Sequence, residues 1–496
     1  MPLIPLEIPP GVVKNGTALQ VAGRWFDSNL IRWRDNVMMP VGGWLKMNTS
    51  AITGICRGLI SFRDNGNANK FICAGTNSKL YVWNDSGTIY DITPSGFTTG
   101  RTDAIYGLGY GTGNYGASTY GTARAGSGQV LDAATWSLDT WGEYLVGVAP
   151  HYGRIVEWQL NTGSVAANVS NAPYPSLGVL VTPERHLMAL GAASNNRKVA
   201  WSDQEDNTVW AAGATNTAGA IELETTGTIR AGVRVRGEIL IVTDVDAHVM
   251  TYLGPPLIYN RQKLGSACGL VGPNAIATAE GFAVWMGKDD FHVYDGTVRS
   301  LPCDVRDFVF GDINLVQGSK IYAGVNSEFD EIWFFYPTAA SDENDRYVCW
   351  NYKENYWSIG SLSRTAWVDS GAFTDPTATD ASGFLYSQES GWTNAGAALT
   401  TTRYVETGGV SVAQGDNIVR GRQVISDEAV TGQAQIKFKT RFTPNGSETE
   451  HGPYTLENYT DVRFSGRQFA MRIEGRVDDD WRVGTLRLDA KTGGRR

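Results

Sequence analysis

"KLYVWNDSGTI", residues 79–89, is a short alternating strand that closes on an aromatic and runs into a polar turn. The same unit returns as "RIVEWQLNTGSV" (154–165), "KVAWSDQEDNTVW" (198–210), "HVMTYLG" (248–254), "FHVYDGTV" (291–298), "YVCWNYKENYWSI" (347–359) and "FLYSQESGW" (384–392). Its closing aromatics are Trp83, Trp158, Trp201, Tyr252, Tyr294, Trp350 and Tyr386. Their separations are 75, 43, 51, 42, 56 and 36, and all but the first scatter about the repeat length of propeller blades, roughly 40–50 residues. Further alternating runs stand between the markers: "EYLVGVA", "GEILIVTDV", "GFAVWMG" and "DEIWFFYP". Several strands per unit and almost no helical periodicity predict an all-β chain, a β-propeller of six or seven blades. The count stays open by one because a marker can belong to a strand that closes the ring. A row of β-sandwiches would use similar strands, but radial stacking covers most strand edges and is the better fit.

The composition agrees. The 496 residues include 58 Gly, 16 Trp and 21 Tyr. Gly supplies tight turns, and large aromatics suit pleated, half-buried surfaces. The two ends depart from the repeat, so three regions are expected. Residues 1–50 form a Trp/Arg-rich segment, "GRWFDSNLIRWRDNVMMPVGGW", that contains Trp25 and Trp33. Residues 51–395 form the propeller. From 396 the marker stops, and "AQIKFKTRF", "DVRFSGRQFAMRIEG" and "VGTLRLDA" alternate over longer strands. Residues 396–496 therefore read as a C-terminal β-sandwich-like domain.

The widest gap between markers holds "GYGTGNYGASTYG", residues 109–121, in which GTGNYG fits the GxGxxG pattern of dinucleotide sites. That pattern needs a buried strand before it and an opening helix after it. Neither "RTDAIYGLGY" nor "ASTYGTARAGSG" supplies them, so the phosphate reading fails. What remains is a Gly/Tyr-rich insert at about 102–126 between the first two blades; long loops of this kind are usually functional or disordered. Tyr106, Tyr110, Tyr115 and Tyr120 recur along it. Tyrosine gives contact area at low entropic cost. These four and the N-terminal Trp25 and Trp33 are the candidate interface residues.

Residues for chemistry are harder to find. A formal charge of −9 without a basic stripe excludes tight sequence-specific DNA binding. The five cysteines are scattered with no CxxC, which favours buried free thiols over a zinc site or disulfides. The five histidines never fall at HExxH spacing, and His292 reads as a strand residue. Carboxylate pairs at Asp289–Asp290, Asp342–Glu343 and Asp478–Asp480 lie in polar, turn-like runs and are expected to be solvated. "SDQEDNTVW" (202–210) approaches the Asp-box turn of sialidase-like propellers but lacks its glycine. There is no GxSxG and no P-loop. No catalytic residue, metal or cofactor is expected, and the chain reads as not an enzyme. No apolar run reaches the ~18 residues of a membrane span. The prolines of "MPLIPLEIPPGVVKNG" argue against a signal peptide, so synthesis in the cytoplasm is expected.

The Trp/Arg-rich start, the Gly/Tyr loop at 106–121, "VAWSDQEDNTVW" (199–210) and "LGSACGLVGPNAIATAEGFAVWMGKDDFHVYDGTVRSL" (264–301) together resemble tailed-bacteriophage virion structural proteins. The resemblance is greatest to the tail hub or nozzle proteins of short-tailed phages, the packaged-DNA-stabilisation type. It covers most of the chain and is one of pattern. It implies a homo-oligomeric ring, typically a hexamer, at the distal end of the tail tube below an adaptor protein. The ring would carry tail fibres or a needle or plug, and DNA would pass through without specific binding. The expected location is the virion tail, assembled in the host cytoplasm. The alternative is a glycan-degrading or receptor-binding propeller on the virion tail.

Overall fold

In the computed structural model each of the seven aromatic markers lies on the third strand of a four-stranded antiparallel sheet. The structure describes residues 3–17, 20–66, 69–107, 130–411, 417–443 and 446–494. Six sheets are sequential, with first strands Cys56–Arg63, Ser137–Trp141, Gly178–Val181, Ile229–Val235, Ile276–Ala279 and Tyr322–Asn326. A seventh is built from Ala366–Val368, Thr377–Thr379 and Leu385–Gln388, and its fourth strand is Trp44–Lys46 from the N-terminal region. The first strands touch one another in order, and Ala366–Val368 meets Cys56–Arg63. The ring is therefore closed, and the fold is a seven-bladed β-propeller.

Blade strands are apolar on successive residues because a neighbouring blade covers each face. Leu187–Leu190 and Glu331–Tyr336 are buried along their whole length. Close packing also fixes glycines on the first strands. A Cβ on Gly58 would stand 2.5 Å from the Trp136 Cβ, and one on Gly324 would stand 2.4 Å from the Trp367 ring. In both places the tryptophan of the next blade lies directly on the strand.

The C-terminal region is a sandwich of a four-stranded and a five-stranded antiparallel sheet. Its strands alternate buried and exposed, as in Thr460–Gly466 and Ala434–Arg441. Phe438, Phe464 and Phe469 stack in the middle. Two of its strands come from the other end of the chain: Ile4–Leu6 pairs with the segment around Leu488, and Trp25–Asn29 pairs with Tyr404–Thr407. Residues 1–50 are thus not a separate segment. They complete the sandwich and close the last blade, since an extended chain finds its missing hydrogen bonds at an open sheet edge.

A buried ion cluster fixes the N-terminal hairpin, Ile31–Arg34 against Val37–Pro40, to the propeller. Arg32, on the strand Ile31–Arg34, donates from Nε and Nη2 to both Glu331 oxygens at 2.9 Å, reaching blade six. Nη1 and Nη2 also reach Glu389, just past blade seven, at 3.0 and 2.5 Å. Burial works against the Arg32 charge, but the two carboxylates outweigh it and raise its pKa. Glu331 is raised as well, first by burial and then by Glu389, because two carboxylates share one cation. The one α-helix among the described residues is Arg306–Asp312. None of the described helices is long and apolar enough to cross a membrane.

Candidate assembly site at the propeller axis

The first strands of all seven blades line an axial cavity of about 310 Å³. That is room for on the order of ten waters. An ion pair spans between its walls, from Arg234 of blade four to Asp139 of blade two at 3.0 Å, and Arg230 of blade four reaches Asp132, in the segment that leads into blade two, at 2.5 Å. Arg234 also donates to the Val181 carbonyl at 2.7 Å.

The insert between blades one and two is rooted beside this axis. The short 3-10 turn Leu315–Lys320, which leads into blade six, grips both of its ends. The Gln317 side-chain amide accepts from the Ala104 N–H at 2.9 Å and donates to its carbonyl at 3.0 Å. Ser319 Oγ accepts from the Ala133 N–H at 3.1 Å. Lys320 Nζ, fully buried, holds Asp103 at 2.6 Å, Glu343 at 2.9 Å and the Asp342 carbonyl at 2.6 Å. Arg57 of blade one pairs with the same Glu343. Burial pulls the Arg57 guanidinium below its ordinary value, and Glu343 opposes that shift.

From this root rises a two-stranded stem, Ile105–Tyr106 against Val130–Leu131. Its outer side chains are in the open: Tyr106 is 62% exposed and Ile105 46%. The projecting part therefore begins at 105 rather than 102, because Asp103 and Ala104 belong to the clamp. Tyr110, Tyr115 and Tyr120 lie outside the described residues.

Trp25 and Trp33 occupy a different place from the one expected of exposed anchors. They are 4% and 3% exposed, with centroids 6.3 Å apart. Trp33 meets Tyr356 of blade six edge-on at 5.4 Å, and Tyr356 Oη donates to the Trp33 carbonyl at 2.6 Å. These rings pack the N-terminal strands onto the chain's own propeller and sandwich.

Two of the acidic runs expected to be solvated are structural. Glu343 ties Arg57 to Lys320, and Asp478 accepts from the Leu399 N–H at 2.8 Å beside buried Arg403. The propeller also holds two buried polar networks that no short motif announces. Tyr259 Oη lies 3.0 Å from Thr182 Oγ1 and 3.0 Å from His186 Nδ1, and it donates to Glu184 at 3.2 Å. Asp246 Oδ1 accepts from Thr225 and Thr243 at 2.7 Å and contacts His248 Nε2 at 3.1 Å, while Lys263 reaches Oδ2 at 2.7 Å. Burial acts to raise the Asp246 carboxyl, but hydrogen bonds from Lys263, Thr225 and Thr243 outweigh it and hold the pKa at about 2. His292 lies on the third strand of blade five, with its ring 5.7 Å from Trp285. All five cysteines are buried and free.

No protein-family model and no curated protein matches the chain. Solved structures similar to it are propellers. Virginiamycin B lyase from Staphylococcus aureus is 7% identical over 70% of this chain and 97% of its own, with a TM-score of 0.43. BamB from Moraxella catarrhalis is 10% identical over 73% and 94%, with a TM-score of 0.37. The Cps50 (Swd1) β-propeller domain from Myceliophteria thermophila is 8% identical over 68% and 98%, at 0.39. Such identities bear on the fold alone. The first of these proteins is an enzyme, which overturns the expectation that a chain of this build is not one. Missing motifs could not carry that exclusion, because blades bring together groups far apart in sequence, as His186 and Tyr259 show.

Proposed function

We propose that the chain is a structural component of a bacteriophage tail, forming the nozzle or hub ring at the distal end of the tail tube. DNA would be retained and then ejected through that ring. The sequence pattern supplies the family resemblance. The observation that carries the reading is the stem at the axis: a rigid, ion-paired base that presents Ile105 and Tyr106 to the outside. Exposed aromatic surface on a fixed base is what a docking element needs, since little freedom is lost on binding.

The axial cavity favours a lumen formed between subunits over one within a single propeller. A space of about 310 Å³ spanned by Arg234–Asp139 has no room for a duplex. The acidic balance of −9 suits a conduit that must not hold phosphate. Electron microscopy of the purified full-length chain tests the proposal. Closed rings, six-fold in the simplest case, with a hole wide enough for a DNA duplex are the expected outcome. A chain that stays monomeric at every concentration and is absent from tails would contradict it.

A further inference from the structure

We infer that a proline-tipped hairpin on blade four and a tryptophan-walled groove beside the sandwich are the two halves of one contact between neighbouring copies. The inference rests on the ring reading above and names the surfaces that would make the ring. A head-to-tail ring needs two different, complementary patches on every subunit.

The first patch is "TYLGPPLIY", residues 251–259. It joins strands Asp246–Gly254 and Ile258–Ser266, each nine residues long. The neighbouring strand of the blade covers only Ala247–Met250, while the hairpin pairing runs on to Gly254 and Ile258. The tip thus overhangs the blade as a two-stranded ribbon. Tyr252 and Tyr259 lean back on His186, but Leu253 is 54% and Leu257 69% exposed, with Pro255 and Pro256 exposed between them. No charged residue stands between Met250 and Asn260. A bare two-stranded ribbon with an apolar tip is marginal in water and gains by being covered.

The second patch is a groove of about 420 Å³ walled by Leu6, Ile8, Trp25, Trp33, Val483 and Leu486. Its chemistry fits a proline-containing occupant. Proline segments dock on aromatic-lined grooves, with their free carbonyls accepting from donors in the wall. The indole N–H of Trp25 is buried and has no hydrogen-bond partner among the described residues. The Gly254–Pro255–Pro256 tip brings carbonyls together with apolar rings.

Charge points the same way. Among the described residues, Glu7 is the one charged residue lining the groove. Arg261 stands on the strand leaving the tip, roughly 13 Å from Leu257 at the usual strand rise. Its present partner, Glu224, is 82% exposed, and such a surface pair is readily exchanged.

Sedimentation of the full-length chain across a concentration series tests this contact. Leu253→Ser with Leu257→Ser changes only exposed positions, so the circular dichroism spectrum and melting should match the parent. Assembly should weaken roughly tenfold or more, as loss of a central apolar anchor does. Glu7→Arg should weaken it too, and adding Arg261→Glu to the same chain should restore it. Mixing the tip variant with Glu7→Arg should yield a two-copy species that cannot grow, because only one intact tip–groove pair remains. Rings that form normally from the tip variant would overturn the contact and leave the ring reading standing. A parent chain that assembles at no concentration would overturn both.

Discussion

The blades and the C-terminal sandwich are both antiparallel β-structure, yet they bury their strands in different ways. In blade four the run Glu238–Thr243 is buried at every position from Ile239 onward. In the sandwich Thr460–Gly466 buries only alternate residues. A blade has a neighbour on each face, whereas each sheet of the sandwich has one covered face and one in water. The propeller therefore depends on closure, which Trp44–Lys46 supplies. The sandwich depends on its own two inner faces.

The sharpest way to break this arrangement is at the ion cluster that fixes the N-terminal hairpin to the propeller. Arg32→Met should destabilise the chain by about 3–5 kcal/mol, because it leaves Glu331 and Glu389 buried without their cation. Denaturant melts would read the loss. Trp201 tests the blade interior: it is 5% exposed, packs on Tyr259 at 5.2 Å and donates to the Thr217 carbonyl at 2.8 Å. Trp201→Ala should cost about 3–5 kcal/mol. A loss below about 1 kcal/mol would mean that the aromatic markers are not core residues.

Neighbouring positions sharpen the comparison further. Leu240→Ala and Ile241→Ala, both at 0% exposure, should each cost about 2–5 kcal/mol although they point to opposite faces. In the sandwich Phe464→Ala should cost about 3–5 kcal/mol, while the adjacent Arg463→Ala should cost under about 0.5 kcal/mol. Similar costs at Arg463 and Phe464 would erase the distinction.

Asp246 gives a smaller effect tied to pH. Its folded pKa is lowered from 3.8 to about 2, so its contribution is fully present above 3.8 and is lost as pH falls through about 2. The amount is about 2 kcal/mol. Asp246→Asn should flatten that part of the acid-unfolding curve. An unchanged curve between those pH values would show that the carboxylate is not held ionised by Lys263, Thr225 and Thr243.

The blade repeat was legible because the constraint is local and recurs: Trp83, Trp158, Trp201, Tyr252, Tyr294, Trp350 and Tyr386 all fall on third strands. The closure was not, since Trp44 pairs with Gln388 across most of the chain and nothing near Trp44 names that partner. The sandwich was visible from its alternation, but the two strands it borrows from the N-terminus were not. Glu343 and Asp478 looked solvated because their immediate neighbours are polar. Their partners, Lys320 and Arg403, come from elsewhere in the sequence. The clamp on the insert was hidden for the same reason, as Gln317 and Ala104 are brought together only by ring closure.

The smallest expected effect on stability is also the most direct test of the central claim, that the stem on the axial clamp serves assembly and not folding. Residues 105–131 are replaced by a short Gly/Ser bridge from Ala104 to Asp132, which removes the stem with Ile105 and Tyr106 and leaves Asp103, Ala104 and Ala133 in the clamp. Melting of the shortened chain and its incorporation into tails are then measured together. Loop length costs only about 0.6 kcal/mol per doubling, so the melting curve should barely move, while tail assembly should fail. A shortened chain that melts normally and still enters infectious tails at the parental level would contradict the account.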